Sequence, residues 1–356
     1  MDEMNFSAQE CVKEPLEAAE DTLNSAPLGE LTLPPEKKQK RHFTNTEEVM
    51  GWVFTGIPIL GFLIFGMIPL VLSIYISLNH FPMGTRLQDF TDELFGTTFP
   101  ITFKGLDNFK YVLTDTLFWK SVLNTLFVVF TTIVSLGLSV FISMMLYNCK
   151  KGKKFFQTVF FIPYVCSLVA ITFMWQWVFN QDHGILNSFI LQMGGEPLNW
   201  ITYSPGRFRL VMFVVMLWSG TGFNIILLSA ALTNINKSCY EAADIDGAGM
   251  FVKFFKITLP AISPTLFYLL VTGIIGSLQE FTRFQIMLGD ENTAVGGANI
   301  TIVYYLYNKM RSFDRAPNAT TGIGIASAVG WILALMIGLV TFANFKISKK
   351  WVSYDE

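Results

Sequence analysis

The sequence predicts an all-α membrane protein with six transmembrane helices, on three observations. Hydrophobic residues make up 52% of the 356 and charged residues only 15%, where a soluble globular chain carries about 25% charge. The apolar residues fall in six long uncharged stretches. The Lys and Arg residues are spread unevenly over the segments that join those stretches. A net charge of −2 gives no basis for a nucleic-acid partner.

Residues 1–48 are expected to form a mostly disordered cytoplasmic tail. They hold Glu14, Glu17, Glu20 and Asp21, then Pro34-Pro35 and the basic run Lys37, Lys38, Lys40 and Arg41 beside the first apolar stretch. Nothing in them resembles the apolar region of a cleavable signal peptide. A membrane domain is expected over 49–356.

Its six spans are Trp52–Leu78, Ser121–Leu146, Phe155–Phe179, Leu210–Ala231, Ala261–Gln279 and Thr321–Phe345. Each is long enough to cross about 30 Å of hydrocarbon at about 1.5 Å per residue. One charge at the centre of such a helix costs about 2.5–3.5 kcal/mol on insertion scales, so six charge-free stretches do not arise by accident. Pro163 predicts a kink in span three. With the N-terminus inside, the inner segments carry 14 Lys and Arg in 62 residues and the outer segments 10 in 110. That bias predicts cytoplasmic N- and C-termini. Trp119, Trp175, Trp177, Trp200 and Tyr203 suit the membrane interface. Cys11, Cys149 and Cys239 then lie on the cytoplasmic side and Cys166 in a span, so no disulfide is expected. The three histidines are far apart, and no metal site or catalytic constellation is readable.

The loop between spans four and five, residues 238–260, reads as two short cytoplasmic helices. Ser238 and Glu241 have capping-box spacing. Ala242 and Ala243 favour helix, Gly247 and Gly249 allow a sharp turn, and Phe251, Phe254 and Phe255 recur at helical spacing. Pro260 marks the entry to span five.

This loop matches the EAA signature: Glu-Ala-Ala, three residues, Gly, nine residues, Ile, one residue, Leu-Pro. The matching positions are Glu241, Ala242, Ala243, Gly247, Ile257, Leu259 and Pro260. The chain resembles the membrane permease subunit of binding-protein-dependent ABC importers, in the carbohydrate (maltose/multiple-sugar) branch and of the first-permease type. Gly105-Leu-Asp-Asn-Phe109, Asn124-Thr125, Phe161-Ile-Pro163, Asp246-Gly-Ala248, Gly296-Gly297 and Gly324-Ile-Ala-Ser-Ala328 extend the resemblance from about Trp52 to Phe345.

The resemblance implies a type I importer permease (MetI-like) fold in the cell membrane of a prokaryote. It implies a second permease subunit, separate ATP-binding subunits, an extracytoplasmic solute-binding protein, a sugar cargo and surrounding lipid. The EAA helix would sit in a cleft of the ATPase, with Glu241 meeting a basic residue there. The chain itself has no G-x-x-x-x-G-K-[ST] phosphate loop, so ATP and Mg²⁺ belong to the other subunit and no cofactor is expected here.

A sugar needs hydroxyl partners and an aromatic face at membrane depth. Carried over from the family, the pathway positions are Tyr164, Leu168, Ser219, Gly220, Gly273, Gly276, Ser277 and Glu280. Glu280 stands out because an ionisable group near bilayer depth is a functional candidate. It can accept from sugar hydroxyls, pair with Arg283, or simply mark the outer helix end. Departures from the family pattern are the long tail, an insert near Met83–Pro100, and Glu291-Asn-Thr-Ala-Val before Gly296. Two alternatives remain open: an ABC permease for a non-sugar solute such as a glycerophosphodiester, and a stand-alone secondary transporter, which would want intramembrane charge relays.

Overall fold

The computed structural model describes residues 45–80, 102–149, 151–289, 296–311 and 322–353. Residues 1–44 of the expected 1–48 tail, the insert Met83–Pro100 and the stretch Glu291–Val295 lie outside the described residues; the last four residues of that tail, 45–48, are not disordered but form the first turn of a helix. The chain divides into two units, the first ending at Ile76.

The first unit carries one long helix. It is built from α1 (Asn45–Phe62), a π-turn (Leu63–Met67) and α2 (Ile68–Leu78). Its exposed side chains are apolar, Phe54, Phe62 and Phe65 among them.

The second unit opens with a two-residue antiparallel pair, β1 (Asn79–His80) and β2 (Thr102–Phe103). Nine helices of α3 (Asp107–Thr114), α4 (Thr116–Asn148), α5 (Lys153–Val165), α6 (Leu168–Val178), α7 (Ile185–Gln192), α8 (Pro205–Thr233), α9 (Lys237–Ile245), α10 (Met250–Lys253) and α11 (Leu259–Leu278) follow. A π-turn, Phe254–Thr258, joins α10 to α11 without a break. Then come α12 (Thr282–Leu288), α13 (Ile302–Arg311) and α14 (Gly322–Ser348). Counting α1–α2 and α10–α11 each as one, five helices among the described residues are long and apolar enough to cross a membrane, and the bent pair α5–α6 makes a sixth.

Helix α4 is the hub, packing against α8, α11 and α13. Its sequence explains why. The buried face is mostly small and hydroxylated, with Ser121, Asn124, Thr125, Thr131, Ser135, Ser139 and Ser143, while Leu123, Phe130, Phe141 and Met145 point outward. That is the reverse of a soluble helix. Small residues let helices approach closely where lipid removes the hydrophobic drive to associate. Each hydroxyl needs a partner, and Ser139 and Ser143 reach the Thr221 and Ile225 carbonyls of α8 at 3.4 and 3.2 Å. Helix α5 meets α8 more closely still. A Cβ added at Gly222 would lie 2.2 Å from the Phe160 carbonyl oxygen.

Span three departs from the expected single crossing. The chain turns through 98° between α5 and α6. Pro163 stays inside α5, and the corner falls at Cys166 and Ser167, which are extended. Hydropathy counts composition and is blind to direction, so a bent stretch reads as a straight one. Its two halves go to different neighbours, α5 to α8 and α6 to α12. Trp175 is half-buried against Phe179 and Trp218, whereas Trp177 is exposed.

The segments packed around the N-terminal end of α4 are held by buried polar groups. Asn124 donates to the Gly297 and Ile300 carbonyls at 2.8 and 2.9 Å and accepts from Arg209 at 3.1 Å. Gly296 and Gly297 have φ of 60° and 80°, which makes that turn a glycine position. The motifs Asn124-Thr125 and Gly296-Gly297, far apart in sequence, thus form one structure. Asp115 caps α4, accepting from the Leu117 N–H at 2.8 Å and the Tyr305 hydroxyl at 2.6 Å, with Lys309 Nζ at 3.1 Å. Burial pushes the Asp115 carboxyl up, but these donors and the Lys309 charge outweigh it and hold the group below the usual carboxylate range.

Two outcomes are expected from purified protein in detergent. Gly222→Ala should lower thermal stability by about 1–3 kcal/mol through backbone overlap, while Gly276→Ala, with nothing within 4 Å of its Cβ, should be neutral or stabilising. The Asp115 contribution is full above the unfolded carboxyl value of about 3.9 and is lost as pH falls through the lower folded value. Asp115→Asn should therefore be less stable at neutral pH and show a flatter decline below about pH 4.

Candidate functional site

The segment after α8 is the strongest candidate, and local chemistry builds it. Asn236 is the N-cap of α9, accepting from the Ser238 N–H at 3.1 Å. This corrects the expected Ser238–Glu241 capping box. Asparagine caps at least as well as serine, and with the helix starting at Lys237 Ser238 already lies inside it.

Helix α9 ends in a Schellman turn. The Ala248 N–H donates to the Ala243 carbonyl at 2.9 Å and the Gly247 N–H to the Asp244 carbonyl at 3.1 Å. Gly247 has φ of 72°, so it is the residue that needs to be glycine, while Gly249 at φ −69° does not. The helix that follows runs unbroken from Met250 into α11. Pro260 therefore does not mark an entry. It lies two residues after the π-turn of that continuous helix, where the altered bonding ladder accommodates its missing N–H. The expected second short helix is the N-terminal extension of span five.

Of the signature residues, Ala243 and Ile257 are buried, Ala242, Leu259 and Pro260 are half-buried, and Glu241 and Gly247 are exposed. The Glu241 carboxylate makes no hydrogen bond or ion pair among the described residues, so it is available to a partner. Other side chains of α9 turn inward. Tyr240 Oη lies 2.8 Å from Thr258 Oγ1, and Asp244 is ion-paired with Lys253. Burial pushes the Tyr240 hydroxyl up, so it stays protonated at neutral pH. Asp244 is 67% exposed, so the pair contributes under about 1 kcal/mol to stability. Its consequence is geometric.

The eight expected pathway residues divide into two sets. Tyr164 is exposed, stacked between Phe161 and Phe223 at ring distances of 5.6 and 4.9 Å. Leu168 follows directly after the 98° corner, and Gly276 is open. The others are engaged in packing. Ser277 bonds Thr132 Oγ1 at 2.6 Å, and a Cβ at Gly273 would lie 2.9 Å from Thr132 Cγ2. Ser219 donates to the Val215 carbonyl at 2.9 Å, and Gly220 faces Ser135. Glu280 lies just beyond the end of α11 and is ion-paired with Arg283.

The chain was compared with known proteins. Residues 133–353 match the family described as binding-protein-dependent transport system inner membrane component. The chain belongs to that family. It is a transport permease of the plasma membrane, crossing it several times. Relatives include the probable ABC transporter permease protein YesP of Bacillus subtilis (strain 168), 30% identical over 89% of this chain and 96% of that protein. The lactose transport system permease protein LacF of Rhizobium radiobacter is 30% identical over 85% and 95%. A chain of a bacterial ABC transporter involved in the import of the acidic polysaccharide alginate shares the fold, with a TM-score of 0.70 at 22% identity over 86% of this chain and 98% of that one.

Within this permease, sequence reasoning missed Asn236, Tyr240, Asp244, Lys253 and Thr258. Their signal was present: Tyr240 and Asp244 are four residues apart, which puts them on one face of a helix. What the sequence hid was the unbroken helix opposite, because Gly249 and Pro260 read as its limits.

Substitution at the turn separates the two glycines. Gly247→Ala should cost about 1–2 kcal/mol through the left-handed backbone, and Gly249→Ala should be neutral. Thermal unfolding of the purified permease in detergent checks both.

Proposed function

We propose that the chain is the permease subunit of an ATP-driven sugar importer, one half of a heterodimeric pathway that alternates between outward and inward openings. The carrying observation is the folded EAA loop. A short helix with an unpaired Glu241 at its surface, ended by a left-handed Gly247, projects from the bundle beside a helix that runs on into span five. A membrane bundle with no phosphate loop of its own has use for such a projection if another subunit supplies the nucleotide chemistry. On this reading Glu241 docks on a separate ATPase, both termini are cytoplasmic, and an extracytoplasmic binding protein delivers the solute to the opposite end.

Sugar as cargo is supported by relatives named for lactose and arabinooligosaccharides. The exposed Tyr164 ring at the corner of span three supplies the aromatic face a sugar needs. A glycerophosphodiester is the second reading, favoured by likeness to the sn-glycerol-3-phosphate permease protein UgpA of Shigella flexneri, 29% identical over 72% of this chain and 84% of that one. A phosphate wants an available cation. Near the pathway candidates Arg283 is the basic side chain the described residues offer, and Glu280 already neutralises it. Sugar therefore ranks first.

Glu241→Lys in the assembled transporter should reduce cargo uptake at least tenfold while membrane insertion and folding are unchanged, since the Glu241 side chain has no bond to lose within the chain. Uptake of radiolabelled oligosaccharides into proteoliposomes containing the ATPase and binding protein measures it. Uptake at the unsubstituted rate would remove the coupling role, and uptake without any ATPase would remove the importer reading.

A further inference from the structure

Helix α9 holds span five at two points that bracket a defect in its winding. The Met250–Leu278 helix contains a π-turn, Phe254–Thr258, with Lys253 as the residue before it. A π-turn takes in one residue more than the α-helical ladder, and it is where the register of a helix can change; such turns concentrate at functional sites. Asp244 is ion-paired with Lys253 at the start of this turn, and Tyr240 is bonded to Thr258 at its end. The Thr258 hydroxyl also lies 3.3 Å from the Lys253 carbonyl oxygen, so the two anchor points are bonded to each other. Tyr240 and Asp244 stand four apart on α9, one above the other on the same face. Glu241 lies between them in sequence; it is exposed at the rim of the cleft that Tyr240, Asp244 and Lys253 also line, and its carboxylate is unpaired among the described residues.

We propose that Tyr240 and Asp244 clasp the two ends of the π-turn, so that displacement of α9 passes through Lys253 and Thr258 directly into α11. Glu241 meets the partner on the outer face, and the clasp hands the motion to the helix that carries Gly273, Gly276 and Ser277. Asp244, Lys253, Tyr240 and Thr258 are positioning residues. The flexible Gly247 turn alone would let α9 swing without moving span five. The clasp closes that escape. The inference rests on the coupling role of the loop and adds the route by which the motion enters the membrane.

The test uses the full transporter, purified with its own ATPase and second permease in nanodiscs. The four native cysteines are replaced and spin labels attached at Ser238→Cys in α9 and Ala261→Cys in α11. A second pair, Ala261→Cys with Met145→Cys, reports movement of α11 against α4 when MgATP and vanadate are added. The unsubstituted clasp should give one narrow α9–α11 distance and a vanadate-dependent shift in the second pair. Asp244→Lys and Lys253→Asp should each broaden the first distribution and abolish the shift, and the double charge swap should restore both. Thr258→Val, which leaves the outer surface of α9 unchanged, should weaken the shift in the same way. Narrow distances with an intact shift in the single reversals, or no recovery in the swap, would overturn the clasp. Glu241→Lys separates the two levels. If it abolishes the shift while the reversals do not, the clasp alone fails; if it leaves the shift intact, the coupling role of the loop fails first.

Discussion

Lipid offers no hydrogen bonds, and this constraint shapes the rest of the structure. A backbone amide inside the hydrocarbon must find its partner within protein, which makes helices obligatory and makes every departure from helix informative. One departure falls within an expected span, the corner at Cys166 and Ser167, and a second lies at the end of span five, where α11 stops at Leu278 short of Glu280. Irregular backbone at membrane depth is tolerated where protein or a water-lined cavity surrounds it. Tyr164 and Leu168 flank the first departure, and the Glu280–Arg283 pair closes the second. Three of the eight pathway candidates, Tyr164, Leu168 and Glu280, thus stand at interruptions of the helices, while Ser219, Gly220, Gly273, Gly276 and Ser277 lie within α8 and α11.

The same constraint governs how the helices hold together. Apolar burial gives no net drive when the surroundings are equally apolar, so close approach and hydrogen bonds carry the packing. Helix α4 shows both, with serines against α8, Thr132 against Ser277, and Asn124 tying down the Gly297–Ile300 turn. Its large apolar side chains face outward. Several hydroxyls that look like cargo contacts in the sequence, Ser219 and Ser277 above all, are spent on helix contacts in this conformation. A rearrangement of α11 against α4 would have to break the Ser277–Thr132 bond, which makes that pair a marker of the conformational state.

Much of this was legible in the sequence. The six apolar stretches gave the helices because charge is excluded from hydrocarbon, and the spacing from Glu241 to Pro260 gave the helix–turn–helix of that loop because helix, left-handed glycine and helix each require particular residues. What was not legible depends on direction and on tertiary partners. Hydropathy could not show the corner in span three. Asn236 displaced Ser238 as the cap because both residues are good caps and position decides. Pro260 suggested a boundary, yet a proline in the first turn of α11 is accommodated by a helix that enters through a π-turn. The ring contacts of Trp175 with Trp218 and Phe179 were equally out of reach of the sequence, because they depend on the bend between α5 and α6.

The central claim is that the α9 loop faces the compartment that holds ATP, opposite the outer end where Asn124 and Asp115 lie. The most direct measurement is labelling of a single cysteine, Ser238→Cys on the exposed side of α9, with a membrane-impermeant maleimide in a background without the native cysteines. The account predicts protection in intact cells and rapid labelling in inside-out vesicles. Rapid labelling in intact cells would place the loop outside and contradict it.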